Sequence, residues 1–190
     1  MLNKNKELWK PGTLLMPVPA VMVSCADSKG KANIITIAWA GTINSEPPML
    51  SISVRPNRFS YHIIEGTKEF VVNIPDKNTV FATDLCGVKS GRAEDKFLLT
   101  GLSKGKASTV SAPIILECPM NLECKVRQQI NLGSHTMFIA EITAVQVSSN
   151  LINKDGKFDI EKAETIGFAH GNYFKLGKKL GSFGFSVKKK

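Results

Sequence analysis

The sequence predicts a mainly β protein, a small closed barrel with short helices inserted and a C-terminal extension. Three observations predict it. Short runs of alternating or β-branched apolar residues recur between residues 20 and 149. Asp, Gly, Pro and Asn turns separate most of them, and no βαβ repeat appears. Neither GxGxxG nor GxxxxGKS/T occurs, which removes the common nucleotide-binding α/β folds. Six or seven strands with one or two helices are expected. Closing them into a barrel removes exposed edges, with a sandwich as the nearest rival. A chain of 190 residues suffices for a single domain over 1–190, with a barrel core at about 12–149 and an extension at about 150–190.

Pro17 and Pro19 precede a first strand in AVMVSCAD, residues 20–27. The turn DSKGK leads into its hairpin partner ANIITIAWAGTI, residues 32–43. MLSISVR, residues 49–55, alternates Leu50, Ile52 and Val54 against Ser51 and Ser53. A short helix starts near Pro56 and Asn57 and ends at Gly66, with Phe59, Ile63 and Ile64 on one face. EFVVNIP, residues 69–75, is a strand stopped by proline. A second helix covers 77–86, with Val80, Phe81 and Leu85 as its apolar stripe. Loops fill 87–113. Two long strands follow at 121–133 and 135–149, in which Leu122, Cys124 and Val126 alternate with polar residues. Beyond Ser149 the chain becomes acidic, then glycine-rich, and reads as an excursion over the barrel or onto a partner subunit.

Two polar clusters stand at the ends of these elements. In SVRPNRFS, residues 53–60, Arg55 and Arg58 flank a Pro-Asn turn, and Ser53 and Ser60 add hydroxyls. Arginine's planar fork and a helix's first N–H groups suit a phosphate. A helix start with two exposed arginines is the alternative. In SGRAEDKF, residues 90–97, Ser90, Gly91, Arg92 and Lys96 form the second cluster, with Asp95 placed to brace Arg92 or Lys96. A surface turn with local ion pairs is the alternative there. On the second strand, Asn33, Thr36, Ala38 and Trp39 offer polar edges, and Ala38, Ala40 and Gly41 allow a flat ring to approach. Barrel packing explains Thr36 and Trp39 equally well. His135 begins a strand, where its ring would meet a ligand phosphate, a hydride donor or solvent. Tyr173 would cover a ring at the barrel rim or pack in the tail.

Other classes are excluded on composition. The apolar run at 14–25 is twelve residues long and holds two prolines, short of the roughly 20 apolar residues of a membrane helix. With no targeting signal visible, the cytoplasm is expected and no membrane partner. The four cysteines show no CxxC spacing, and the three histidines have no ligand spacing, so no metal is expected. Net charge is +9, partly from Lys175, Lys178, Lys179 and the terminal 188–190 lysines, which read as a solvated basic face. Aromatic residues are only 7% and sit mostly among Ile, Val and Leu, which argues against a nucleic-acid partner.

NIITIAWAG (33–41), SVRPNRFSYHII (53–64), EFVVNIP (69–75), CGVKSGRAEDKF (86–97), GSHTMFIAEI (133–142) and YFKLGKKLG (173–181) occur in this order. Together they resemble the flavin reductase-like proteins with the FMN-binding split-barrel fold, most of all their flavoredoxin-type branch. That resemblance implies a homodimer with FMN held non-covalently near the subunit interface. It implies that Asn33, Thr36, Ala38 and Trp39 line the ring side. Ser53, Arg55, Arg58 and Ser60 approach the phosphate, and Ser90, Gly91, Arg92 and Lys96 complete that region or shape the rim. Asn73 lies near the rim, and His135 and Tyr173 near the ring or its access route. No side-chain catalyst is required, His135 being the one contributor to consider, because the flavin carries the chemistry. The implied activity is an oxidoreductase moving electrons from NADH or NADPH to flavin or a downstream acceptor. The alternative is a non-enzymatic FMN carrier between protein partners.

Overall fold

The structure is a computed structural model, and it describes residues 5–187. The terminal lysines 188–190 lie outside the described residues. A seven-stranded antiparallel sheet has the order β3-β2-β6-β9-β10-β5-β4. Its members are β2 (Val21–Ala26), β3 (Ala32–Ile37), β4 (Ala40–Asn44), β5 (Met49–Val54), β6 (Glu69–Ile74), β9 (Met120–Asn131) and β10 (Thr136–Val147). The short β1 (Val18–Pro19) pairs with β11 (Ile166–Ala169), which pairs with β12 (Asn172–Lys175). β7 (Lys104–Gly105) and β8 (Ile114–Ile115) form a separate ladder.

Strand parity sets the inside of the barrel. Val21, Val23 and Cys25 share one buried cluster with Ile35, Ile37, Leu50, Ile52, Val54, Phe70, Val72, Cys124, Phe138 and Ala140. Those residues alternate along every contributing strand, as the pleat requires. Helix α1 (Phe59–Thr67) plugs the cluster with Tyr61 and Ile64. The phase differs slightly from the sequence reading: Ser60, Tyr61 and Ile64 are the buried positions of α1. β2 is buried along its whole length because a second cluster covers its outer face. There Met22 and Ile34 meet Ala82, Cys86, Phe97, Leu102, Ile115 and Cys118.

Twelve strands and four α-helices stand among the described residues where six or seven strands and one or two helices were expected, although seven strands do make the main sheet. Three further differences are local. The single strand expected at 32–43 is two strands, β3 and β4, broken at Ala38 and Trp39. β3 pairs with β2 and β4 with β5, so the chain must step from one end of the sheet to the other. Helix α2 (Val80–Val88) buries Ala82, Thr83 and Cys86 and leaves Phe81 73% exposed. Small residues win that face because the helix lies close to β3: a Cβ on Gly87 would stand 3.3 Å from Thr36 Cβ. The stretch read as loops holds a short helix, α3 (Lys96–Thr100). Asp95 is its N-cap, accepting from Phe97 N and Leu98 N, and does not brace Arg92 or Lys96. In the extension, α4 (Ile160–Ala163) precedes the β11–β12 hairpin.

Candidate functional site

The step at Ala38–Trp39 creates the site. β3 and β4 are the two ends of the seven-strand order, yet they are consecutive in the chain. The sheet therefore curls until the two-residue step joins its ends, and Ser53 N donates to Trp39 O at 2.8 Å, carrying the β4–β5 ladder one rung into the step. A cleft of about 430 Å³ opens there. β3 and the step contribute Ile35, Thr36, Ile37, Ala38 and Trp39. The end of β5 and the turn after it contribute Ser53, Val54, Arg55, Asn57 and Arg58, and His135 comes from the start of β10. Register brings His135 there, because Thr136 pairs with Val54.

A second cleft of about 230 Å³ adjoins the first. The two share Ile35, Asn57 and Arg58. Asn33, Phe59, Ser60, Lys89, Ser90, Gly91, Arg92 and Lys96 complete its wall. The two arginine clusters of the sequence thus converge. Arg92 Nη1 donates to Asn57 O at 3.1 Å, and the Arg58 guanidinium donates to Gly87 O. Helix α1 starts after Arg58 with no side-chain cap; Tyr61 N donates to Arg58 O, which leaves Phe59 N and Ser60 N for another acceptor. Neither set of lining residues includes an aspartate or glutamate.

Asn33 and Ser60 form the floor, with Asn33 Nδ2 donating to Ser60 Oγ at 2.7 Å. Gly91 is required beside them: a Cβ there would fall 2.3 Å from Asn33 Oδ1 and 2.6 Å from Phe59 Cδ1. Lys96 is buried under the second cleft. Its Nζ donates to Ile34 O at 2.8 Å and Cys86 O at 2.7 Å. Burial pulls its pKa down to about 8. Cys86 O and Gly87 O belong to the last turn of α2, where carbonyls lack helical partners. Lys96 and Arg58 thus cap the negative end of that helix. Thr36 also reaches α2, donating its hydroxyl to Thr83 O. His135 Nδ1 pairs with Ser134 Oγ at 2.9 Å, and burial, then the Arg55 charge, lowers its pKa.

Two expected site residues lie elsewhere. Asn73 is fully buried between β2, β8 and β9. Its Nδ2 donates to Met22 O and Ser24 Oγ, and its Oδ1 accepts from Ile115 N and Asn121 Nδ2. Every polar atom of that side chain is used inside the core, so it cannot serve the rim. Tyr173 lines neither cleft and donates its hydroxyl to Asp84 Oδ1 at 3.1 Å. Asn57 and Lys89 line the site without having been singled out. Their signal was position alone, between two arginines and beside SGR.

The residues present fit a flat ligand with an anionic end: a cleft whose wall mixes Ile35, Ile37, Ala38, Trp39 and Val54 with polar side chains, a shared neck, and a cationic end without carboxylates. A family model for the flavin reductase like domain matches residues 13–176. The chain belongs to the flavin reductase-like family. Its general function is that of the family, FMN-binding electron transfer of the oxidoreductase type. Flavoredoxin of Desulfovibrio vulgaris (Miyazaki F) superposes with a TM-score of 0.91 at 34% identity, covering 97% of this chain and 100% of that one. Flavoredoxin from Methanosarcina acetivorans gives a TM-score of 0.86 at 28% identity, over 97% and 100%. An uncharacterised protein of Archaeoglobus fulgidus is 31% identical over 144 residues, 76% of this chain and 80% of that protein. This flavin reductase-like chain has no helix, among its described residues, long and apolar enough to cross a membrane. Among the same residues no three His, Cys, Asp or Glu side chains converge as metal ligands.

Proposed function

We propose that this chain holds one FMN across the paired clefts and moves electrons from NADH or NADPH to an acceptor. The observation that carries the reading is the shared neck. Ile35, Asn57 and Arg58 wall both clefts, so one elongated ligand can occupy them together. Thr36, Ala38, Trp39 and Ser53 would line the ring, with His135 at its edge. Arg58 and Arg92, the α1 N-terminus and Ser90 would hold the phosphate, and Arg55 would guard the neck. Asn33, Ser60 and Gly91 form the floor, and Lys96 shapes it from below. Bound FMN would supply the redox chemistry, taking up two electrons and passing them on. The side chains bind and orient.

Flavoredoxins among the similar structures favour a second reading, an electron carrier that serves a protein partner without a nicotinamide. Exposed Leu8 and Trp9 near the start and Leu180 and Phe183 near the end support a homodimer as part of the proposal. Four free thiols, all buried, suit a reducing compartment, and the cytoplasm is the one we propose.

The test is the visible spectrum of FMN-loaded protein before and after anaerobic NADH or NADPH, with sedimentation for the subunit count. Bleaching by nicotinamide alone supports the first reading. Stable colour that only a reduced protein partner bleaches supports the carrier. Failure to bind FMN more tightly than riboflavin rejects the phosphate assignment.

A further inference from the structure

A third cleft, of about 390 Å³, lies beside the first. The segment Leu14–Met16 forms one wall, and Phe168, His170 and Gly171 of the β11–β12 hairpin form the other. Trp39 lines both this cleft and the larger site cleft, so one indole separates the two. No Asp, Glu, Lys or Arg lines it, although charged residues make up 22% of the chain. The hairpin tip is two residues, His170 and Gly171, with φ of 48° and 81°. A tip of that kind needs the left-handed region at both positions, which glycine takes freely and histidine only occasionally. It sets His170 in the lining of a mainly apolar, uncharged groove, in which Thr13 is the other polar side chain.

We infer that this groove takes a neutral, planar quinone as electron acceptor, stacked against Trp39 and hydrogen-bonded at a carbonyl oxygen by His170. The inference rests on the flavin reading above. An uncharged wall disfavours a dinucleotide, whose phosphates would be desolvated without a cation. A flat uncharged ring keeps a hydrogen bond at one carbonyl, brings no charge to desolvate and gains contact with the indole. The continuity across Trp39 puts the ring next to the proposed redox centre. Overall, NAD(P)H, one proton and the quinone give NAD(P)⁺ and the hydroquinone. The two electrons of the hydride pass by way of the proposed redox centre to the quinone across Trp39, the hydride's hydrogen leaves to solvent as a proton, and two protons from solvent end on the quinone oxygens.

The probe is 2-methyl-1,4-naphthoquinone, followed by equilibrium dialysis against the full chain with FMN bound. All four thiols are buried, so adduct formation with cysteine does not confuse the reading. Met16→Glu places a carboxylate at the groove wall and should raise the dissociation constant at least about tenfold. His170→Ala should raise it about threefold to tenfold by removing one hydrogen bond. FMN content should stay unchanged in both, since neither residue lines the flavin clefts. No binding by the wild type, or equal binding by Met16→Glu, overturns the inference. So does a fall in sedimenting mass with Met16→Glu, which would give the groove to a second copy of the chain. A chain that takes up no FMN defeats the flavin reading instead, and dialysis of that chain still reports on the groove.

Discussion

Arg92 Nη1 lies 3.1 Å from the carbonyl oxygen of Asn57, thirty-five positions earlier in the chain. That single contact closes the wall of the cationic cleft. It ties the turn before α3 to the turn before α1.

Arg92→Met should therefore weaken FMN binding while sparing riboflavin. The side chain is exposed, so the loss is modest, about tenfold or 1.4 kcal/mol. Fluorescence titration with both ligands checks it. An equal loss for riboflavin would mean that the arginine shapes the ring cleft instead.

Gly91→Ala forces a methyl group to within 2.3 Å of Asn33 Oδ1. Asn33 and Phe59 must both move, and the Asn33–Ser60 hydrogen bond with them. We expect a stability loss of about 1–3 kcal/mol from overpacking, together with weaker FMN binding. Urea denaturation and the same titration measure the two effects separately.

Lys96→Met leaves Ile34 O and Cys86 O without their donor, and should cost about 2–4 kcal/mol. The wild-type lysine also has a pH signature. Its folded pKa is lowered from 10.5 to about 8, so the unfolded chain binds more protons between those values. Its contribution to stability therefore rises with pH from about 8 to 10.5. The buried thiols, pushed up by burial, pull the opposite way above pH 9. Subtracting the Lys96→Met curve from the wild-type curve removes the thiols that do not feel Lys96; Cys25 and Cys86, which its charge lowers, move further up in the variant and add to the upward slope.

Glu123 provides an acid-side counterpart remote from the site. Its carboxylate is buried, which pushes its pKa up, but donors from Gln146, Ser108 and Thr109 more than reverse this and hold it at about 2. Ser108 N donates at 2.8 and 2.9 Å and Thr109 Oγ1 at 2.8 Å, pinning the 106–112 loop to β9. The stabilisation is complete above pH 4.5 and is lost as pH falls toward 2. Glu123→Gln should remove about 2–3 kcal/mol and flatten that acid limb. FMN binding should hold, because Glu123 lines neither site cleft. Denaturation midpoints between pH 2 and 6 test both expectations.

Much of the candidate site was legible because its parts are local. Arg55, Arg58, Ser90 and Arg92 sit in short polar turns that any folded form must expose somewhere. Lys96 and Asn73 look equally polar in the sequence but belong to the interior. Lys96 finds Ile34 O across 62 positions, and Asn73 finds Asn121 across 48. Nothing local announces such partners. Burial of a polar side chain depends on acceptors that arrive only when distant strands pair.

The sequence by itself determined which apolar strand residues face inward. Pleat parity is a local property, and Leu50, Ile52 and Val54 obey it whatever strand lies beside them. It also determined the charge of the turns and the family to which the chain belongs. Only the tertiary structure decided that the chain breaks at Ala38–Trp39, that α2 packs through its small residues, and that two arginine turns meet. Those outcomes follow from strand order and close approach between segments far apart in the chain, which neither alternation nor composition encodes.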